Sequence, residues 1–184
     1  MAGLKTAGKR FEIPFIVIEG GSGIVTGILS ETDQASQPSY VFVQPRHVFR
    51  CSYPTAVKPG MVIQSQAGTK FIVGDNGPSE TWRGTLWESF RLFEPTGRYL
   101  WQRRVKVIDP ITKLKMDALV PQNLGMIYAA LEPIDREQTD RDMRQNFEQV
   151  RLISGADIQS DDLVDNRAVT KVDKQLGLAI GVLT

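Results

Sequence analysis

The sequence predicts a mainly β protein, a small β-barrel or sandwich built from hairpins. Three observations lead there. Apolar runs are short and are broken by Gly, Pro, Asn and Asp, the punctuation of strands and turns. β-Branched and aromatic residues fill those runs, as in Tyr40-Val41-Phe42-Val43 and Phe71-Ile72-Val73. Several stretches alternate apolar with polar residues, the period of a strand with one wet face.

Taken in order, residues 1–10 are polar and mildly basic and read as a flexible N-terminal arm, and residues 11–184 as a single β-rich domain. Ile13 to Ile18 is an apolar run in which Pro14 favours an edge position, because proline donates no ladder hydrogen bond. Gly20-Gly21-Ser22-Gly23 is a turn that returns the chain as a strand over Ile24 to Leu29. A polar loop follows, and residues 40–74 read as a β-meander punctuated by Lys58-Pro59-Gly60 and closed by Gly74-Asp75-Asn76-Gly77-Pro78.

Val105 and Val107 alternate with Arg104 and Lys106, a half-buried pattern. Asp109-Pro110-Ile111-Thr112-Lys113 supplies a turn, and Met116, Ala118 and Val120 share a face on the return. This is the clearest hairpin in the chain. Residues 133–149 differ in kind, being a charged insertion. Asp140 and Arg144 stand at helical spacing and Met143, Phe147 and Val150 make a narrow stripe, so a short helix or a long polar excursion is expected. The final strands fall in Val150 to Ile153, Val164 to Val172 and Gln175 to Leu183, and no internal repeat is recognisable.

With 41% hydrophobic and 23% charged residues, the chain can bury a core and wholesale disorder is not expected. A net charge of +1 argues against a dedicated nucleic-acid binder while leaving room for a local basic patch. The lone cysteine, Cys51, permits no intrachain disulfide, the start lacks the apolar centre of a signal peptide, and no apolar stretch is long enough for a membrane helix. A reducing, aqueous compartment without membrane contact is therefore expected.

Candidate catalytic or ligand-binding groups do not assemble into a site. The Gly20 to Gly23 loop lacks the Lys and following helix of a phosphate loop. His47 and Cys51 are four residues apart, roughly 13 Å on a strand, beyond proton-transfer reach. Cys51 reads as a small core or boundary residue and His47 as a surface one. Asp161, Asp162 and Asp165 lack the framework of a calcium loop and read as solvated turn residues. No catalytic residue, cofactor or metal site is expected, and the chain reads as a non-enzyme.

One segment stands out. Between Trp82 and Arg104 the residues Trp82, Arg83, Trp87, Arg91, Tyr99, Trp101, Arg103 and Arg104 interleave aromatic rings with guanidinium groups. Three readings fit: core strands with Arg on their wet faces, a protein interface anchored by Trp, Tyr and Arg, or a nucleic-acid surface that stacks bases and pairs phosphates.

In outline, residues 40–184 resemble the small β-barrel connector proteins of tailed bacteriophages, the head-completion, stopper and adaptor subunits. The resemblance rests on Lys58-Pro59-Gly60-Met61-Val62-Ile63, on Gly68-Thr69-Lys70-Phe71-Ile72-Val73, and on the Trp/Arg strand leading into Asp109-Pro110-Ile111-Thr112. It extends through Asp162-Leu163-Val164-Asp165-Asn166-Arg167-Ala168-Val169-Thr170-Lys171-Val172 with Leu176-Gly177-Leu178. It implies a virion subunit assembled in the host cytoplasm. The partners would be copies of itself in a ring at the neck, together with portal, connector or tail subunits, and DNA in a channel. It implies no catalytic residues, and the charged stretch 133–149 has no match in that family. A β-barrel module that binds nucleic acid or another ligand through Trp82 to Arg104 is the alternative. Residues 1–10 and 176–183 could be swapped between subunits, or be a loose arm and a core strand.

Overall fold

The computed structural model describes residues 11–31, 47–75, 80–81, 85–108, 111–113, 115–134 and 149–184. The protein is mainly β, as expected, and no helix occurs among the described residues. Tyr40 to Val43, Trp82, Arg83, the arm 1–10 and the stretch 135–148, where a helix or excursion was expected, lie outside them.

Thirteen strands follow one another: β1 (Ile13–Glu19), β2 (Ile24–Glu31), β3 (His47–Ser52), β4 (Val62–Ser65), β5 (Lys70–Asp75), β6 (Glu80–Thr81), β7 (Thr85–Phe93), β8 (Gly97–Ile108), β9 (Lys115–Pro133), β10 (Val150–Ser154), β11 (Leu163–Val164), β12 (Arg167–Gln175) and β13 (Leu178–Leu183). The sequence suggested one domain over 11–184. The chain divides into two compact units, Met1–Pro95 with Leu176–Leu178, and Thr96–Gln175 with Ala179–Thr184.

In the first unit β3-β2-β1-β4-β5-β7-β6 form a 7-stranded sheet, and β3 also pairs with β7, so the ladder returns on itself through six strands. Phe15, Phe49, Ile63 and Leu92 are fully buried inside it. The Phe15 ring meets Phe49 edge-on with centroids 4.9 Å apart, and Phe71 at 6.4 Å. Each such pair adds about 0.5–1.5 kcal/mol beyond the area it buries. Contrary to the edge expected from Pro14, β1 has strand neighbours on both sides. Pro14 opposes Thr26 of β2, while the β4 ladder starts only at Phe15, so the missing N–H removes no rung there.

The second unit is a closed barrel in the order β10-β13-β12-β11-β8-β9. Its interior holds Leu152, Ile158, Val164, Val169 and Leu183, with Tyr99 and Trp101 packed against them. The apolar C-terminal stretch is therefore a core strand of its own barrel, with β10 pairing Val150 to Leu183 and Ser154 to Ala179.

The two units share one topology. Leaving aside the two-residue β6, in each the first strand pairs with the second, the second with the third, the third with the sixth, the sixth with the fifth, the fifth with the fourth, and the fourth with the first. The correspondence reaches single hydrogen bonds. Gly60 N–H donates to the Val73 carbonyl (2.7 Å), Val73 N–H to Met61 (2.8 Å) and Met61 N–H to Lys58 (3.3 Å). In the second unit Asp161 N–H donates to Val169 (2.8 Å), Val169 N–H to Asp162 (2.8 Å) and Asp162 N–H to Gln159 (3.2 Å). Gly60 at φ 91° and Asp161 at φ 72° occupy the same left-handed corner, which glycine and aspartate tolerate better than most residues. Val57 and Ile158, buried to 4% and 1% exposure, plug the same place beside it. The repeat that sequence comparison misses is thus present in the backbone.

The cores keep volume while exchanging side chains. Ladder registers place Gly27 where the second unit has Ala129, and Phe49 where it has Leu152. A Cβ on Gly27 would lie 2.5 Å from the Phe49 ring and 2.6 Å from the Arg50 carbonyl. Gly27→Ala is therefore expected to destabilise the protein by about 1–3 kcal/mol through overpacking, read as a lowered urea midpoint with unchanged slope.

Candidate functional site

The two barrels differ most in their first hairpin. In the first unit β1 and β2 are joined by the expected turn, with Gly20 and Gly23 at positive φ and Val17 N–H donating to the Gly23 carbonyl at 2.9 Å. The corresponding hairpin of the second unit, β8–β9, runs far beyond its barrel. β11 pairs with β8 only at Trp101 and Gln102, and β10 covers β9 only from Ala129 to Pro133. The β8–β9 ladder itself continues through Val105↔Val120 and Lys106↔Leu119 to Ile108↔Lys115. The hairpin expected around Asp109 to Lys113 is therefore present, and of its alternating apolar residues Val107 is half-buried while Val105 and Val120 are exposed. Val105, Leu119 and Val120 are exposed to 37%, 51% and 48%, and Ile108 and Ile111 to 56% and 87%. The alternation was correctly read as a strand, with Val105 and Val120 left facing solvent.

The ribbon leaves the barrel at an anchor centred on Asp162. Trp101 Nε1 donates to Oδ2 at 2.9 Å, Arg103 Nε to Oδ1 at 2.9 Å, Arg103 Nη2 to Oδ2 at 3.0 Å, and the Gln159 N–H to Oδ2 at 3.0 Å. Arg103 Nη2 also donates to the Asp157 carbonyl at 2.8 Å, and its guanidinium lies 5.4 Å from the Trp101 ring centroid. Asp162 is 2% exposed, which corrects its reading as a solvated turn residue. Asp161 and Asp165 are exposed turn residues with φ 72° and 52°. Burial works to raise the Asp162 carboxyl, but the Arg103, Gln159 and Trp101 hydrogen bonds outweigh it and hold the group below the usual carboxylate range. The same slot in the first unit carries Met61, an apolar residue.

The Trp/Arg segment read as one stretch is divided by the unit boundary. Trp87 and Arg91 are half-buried on β7, opposite Ser52 and Val48 of β3. Tyr99 and Trp101 pack on the barrel core, with the Tyr99 hydroxyl 2.9 Å from Thr96 Oγ1. Arg103 is committed to Asp162, while Arg104 is exposed on the ribbon. The reading of core strands with wet arginines describes Tyr99 and Trp101.

Other candidate groups do not converge. Cys51 is 1% exposed in the first core, and burial pushes its thiol up to about 12, so it stays protonated and a poor nucleophile at neutral pH. His47 is half-buried rather than on the surface, because its ring meets Phe71 edge-on at 5.4 Å. Its Nε2 lies 2.9 Å from Glu94 Oε1. No group of three or more His, Cys, Asp or Glu suited to a metal occurs among the described residues, and no helix there is long and apolar enough to cross a membrane.

Comparison of the chain with known protein families, curated proteins and solved structures finds no match.

Two measurements probe the anchor. Trp101→Ala, which empties core volume and removes a donor from Asp162, is expected to cost about 3 kcal/mol in chemical denaturation. Asp162 has a lowered pKa in the folded state, so its contribution is present above the unfolded value of about 3.9 and is lost as pH falls through the folded one. Stability of the wild type should therefore drop more steeply below about pH 4 than that of Asp162→Asn, measured by urea titration at several pH values.

Proposed function

We propose that the protein is a structural subunit of a tailed-phage virion, forming or joining a ring at the head–tail neck, and assembled in the host cytoplasm. The observation that carries this reading is the β8–β9 ribbon. An isolated two-stranded hairpin is marginal in water, yet this one extends well past its barrel with Val105, Ile108, Leu119 and Val120 exposed. Exposed apolar residues on a protruding two-stranded element suit contact with another protein chain. The closed barrel from which the ribbon extends provides the stiff mounting that such a contact requires.

The inward packing of Tyr99 and Trp101 weighs against a base-stacking platform at those positions, so assembly is favoured over nucleic-acid binding. Nothing in the arrangement of Cys51, His47 or Asp162 suggests a nucleophile beside a base, and the reading is non-catalytic.

Size-exclusion chromatography with light scattering, alone and with portal or tail subunits, tests the proposal together with a search for the chain in purified virions. A multi-subunit species and incorporation into particles are expected. A chain that stays monomeric with every neck component and is missing from particles overturns the reading.

A further inference from the structure

We infer that the β8–β9 ribbon of one copy docks on the β1–β2 hairpin of a second copy, joining subunits head to tail. This rests on the assembly reading above and names the partner of that same surface.

Comparison of the two barrels isolates the ribbon as an addition. The first unit closes the same topology with strands of 7 and 8 residues, whereas β8 and β9 have 12 and 19. Barrel closure therefore does not demand the extra length. From Arg103 outward β8 has only β9 as a ladder partner among the described residues. At about 3.4 Å per residue and 10 Å across two strands, the stretch from Arg103 to Ile108 is about 20 Å long and offers about 400 Å² over its two faces, about half of the ~800 Å² per partner of a standard interface.

The occupant follows from charge and apolar character. Along the described ribbon, Arg104, Lys106 and Lys113 are basic and exposed, while Arg103 is committed to Asp162. The β1–β2 hairpin has the opposite balance, with Glu12, Glu19 and Glu31 and no Lys or Arg between residues 11 and 31. It also presents apolar residues to solvent. Ile16 and Ile24 oppose each other across the ladder and are 55% and 69% exposed, and Ile13 is 43% exposed. A basic apolar ribbon and an acidic apolar hairpin on the same chain are complementary but not identical surfaces. Contact between them is heterologous, the kind that closes a ring when the rotation between copies permits.

Three variants test the docking by light scattering across a concentration series. Arg104→Glu with Lys106→Glu should weaken self-association at least about tenfold. Glu19→Lys with Glu31→Lys should weaken it similarly, and all four changes in one chain should restore it. Far-UV spectra and melting curves establish that each variant is folded. Ile24→Asp and Val120→Asp, single changes at exposed sites, form an independent pair, each expected to dissociate the assembly. A wild type that is monomeric throughout, ribbon reversals that leave association intact, or a folded fourfold variant that fails to recover overturns the docking. If the fourfold variant is unfolded, persistence of assembly in Ile24→Asp or Val120→Asp does so. Virion incorporation is scored separately: a self-associating chain missing from particles sinks the neck reading and leaves the docking standing.

Discussion

Closure of the strand ladder is the constraint on which this structure depends. A β-strand at a sheet edge leaves a row of N–H and C=O groups without partners, and a closed ring of strands removes that row. Both units solve the problem identically, with the last strand, β7 or β13, returning between the third and the fifth. The solution fixes which faces are buried, and through them the placement of Phe15, Phe49 and Leu92 in one core and Leu152, Val164 and Leu183 in the other. Only the β8–β9 ribbon escapes closure over a long stretch of the described chain, which is why it holds the functional interest.

Two barrels with one topology and little shared sequence show how far a core can drift while its backbone stays put. Gly27 with Phe49 gives way to Ala129 with Leu152, a trade of volume between opposing positions. Met61 gives way to Asp162, a more demanding exchange, because a buried carboxylate must have its hydrogen bonds met. Trp101, Arg103 and the Gln159 amide meet them. The polar substitution sits where β8 leaves β11, so the second barrel uses its buried charge to hold the root of the ribbon.

This arrangement separates two duties along one strand. At its inner end β8 packs Tyr99 and Trp101 on the core. At its outer end it exposes Val105 and Ile108. Rigid mounting and exposed apolar surface together favour a contact with low ordering cost, since a pre-shaped element loses less conformational freedom on binding than a loose arm.

The mainly β class, the turns at Gly20 to Gly23 and Lys58 to Gly60, and the Val105 to Val120 hairpin were legible in the sequence. They depend on local steric preferences and on the two-residue period of strands. Cys51 as a core residue was legible for the same reason. Tertiary structure decided the rest: that the chain forms two units, that they repeat one topology, that Pro14 lies on a strand flanked on both sides, and that Val105 and Val120 on the β8–β9 alternation stand exposed. It also decided the fate of Asp162, which as sequence is one of several acids near a turn and in space meets residues about sixty positions away. Local patterns report which side of a strand is apolar. Only the pairing of distant strands determines what, if anything, covers that side.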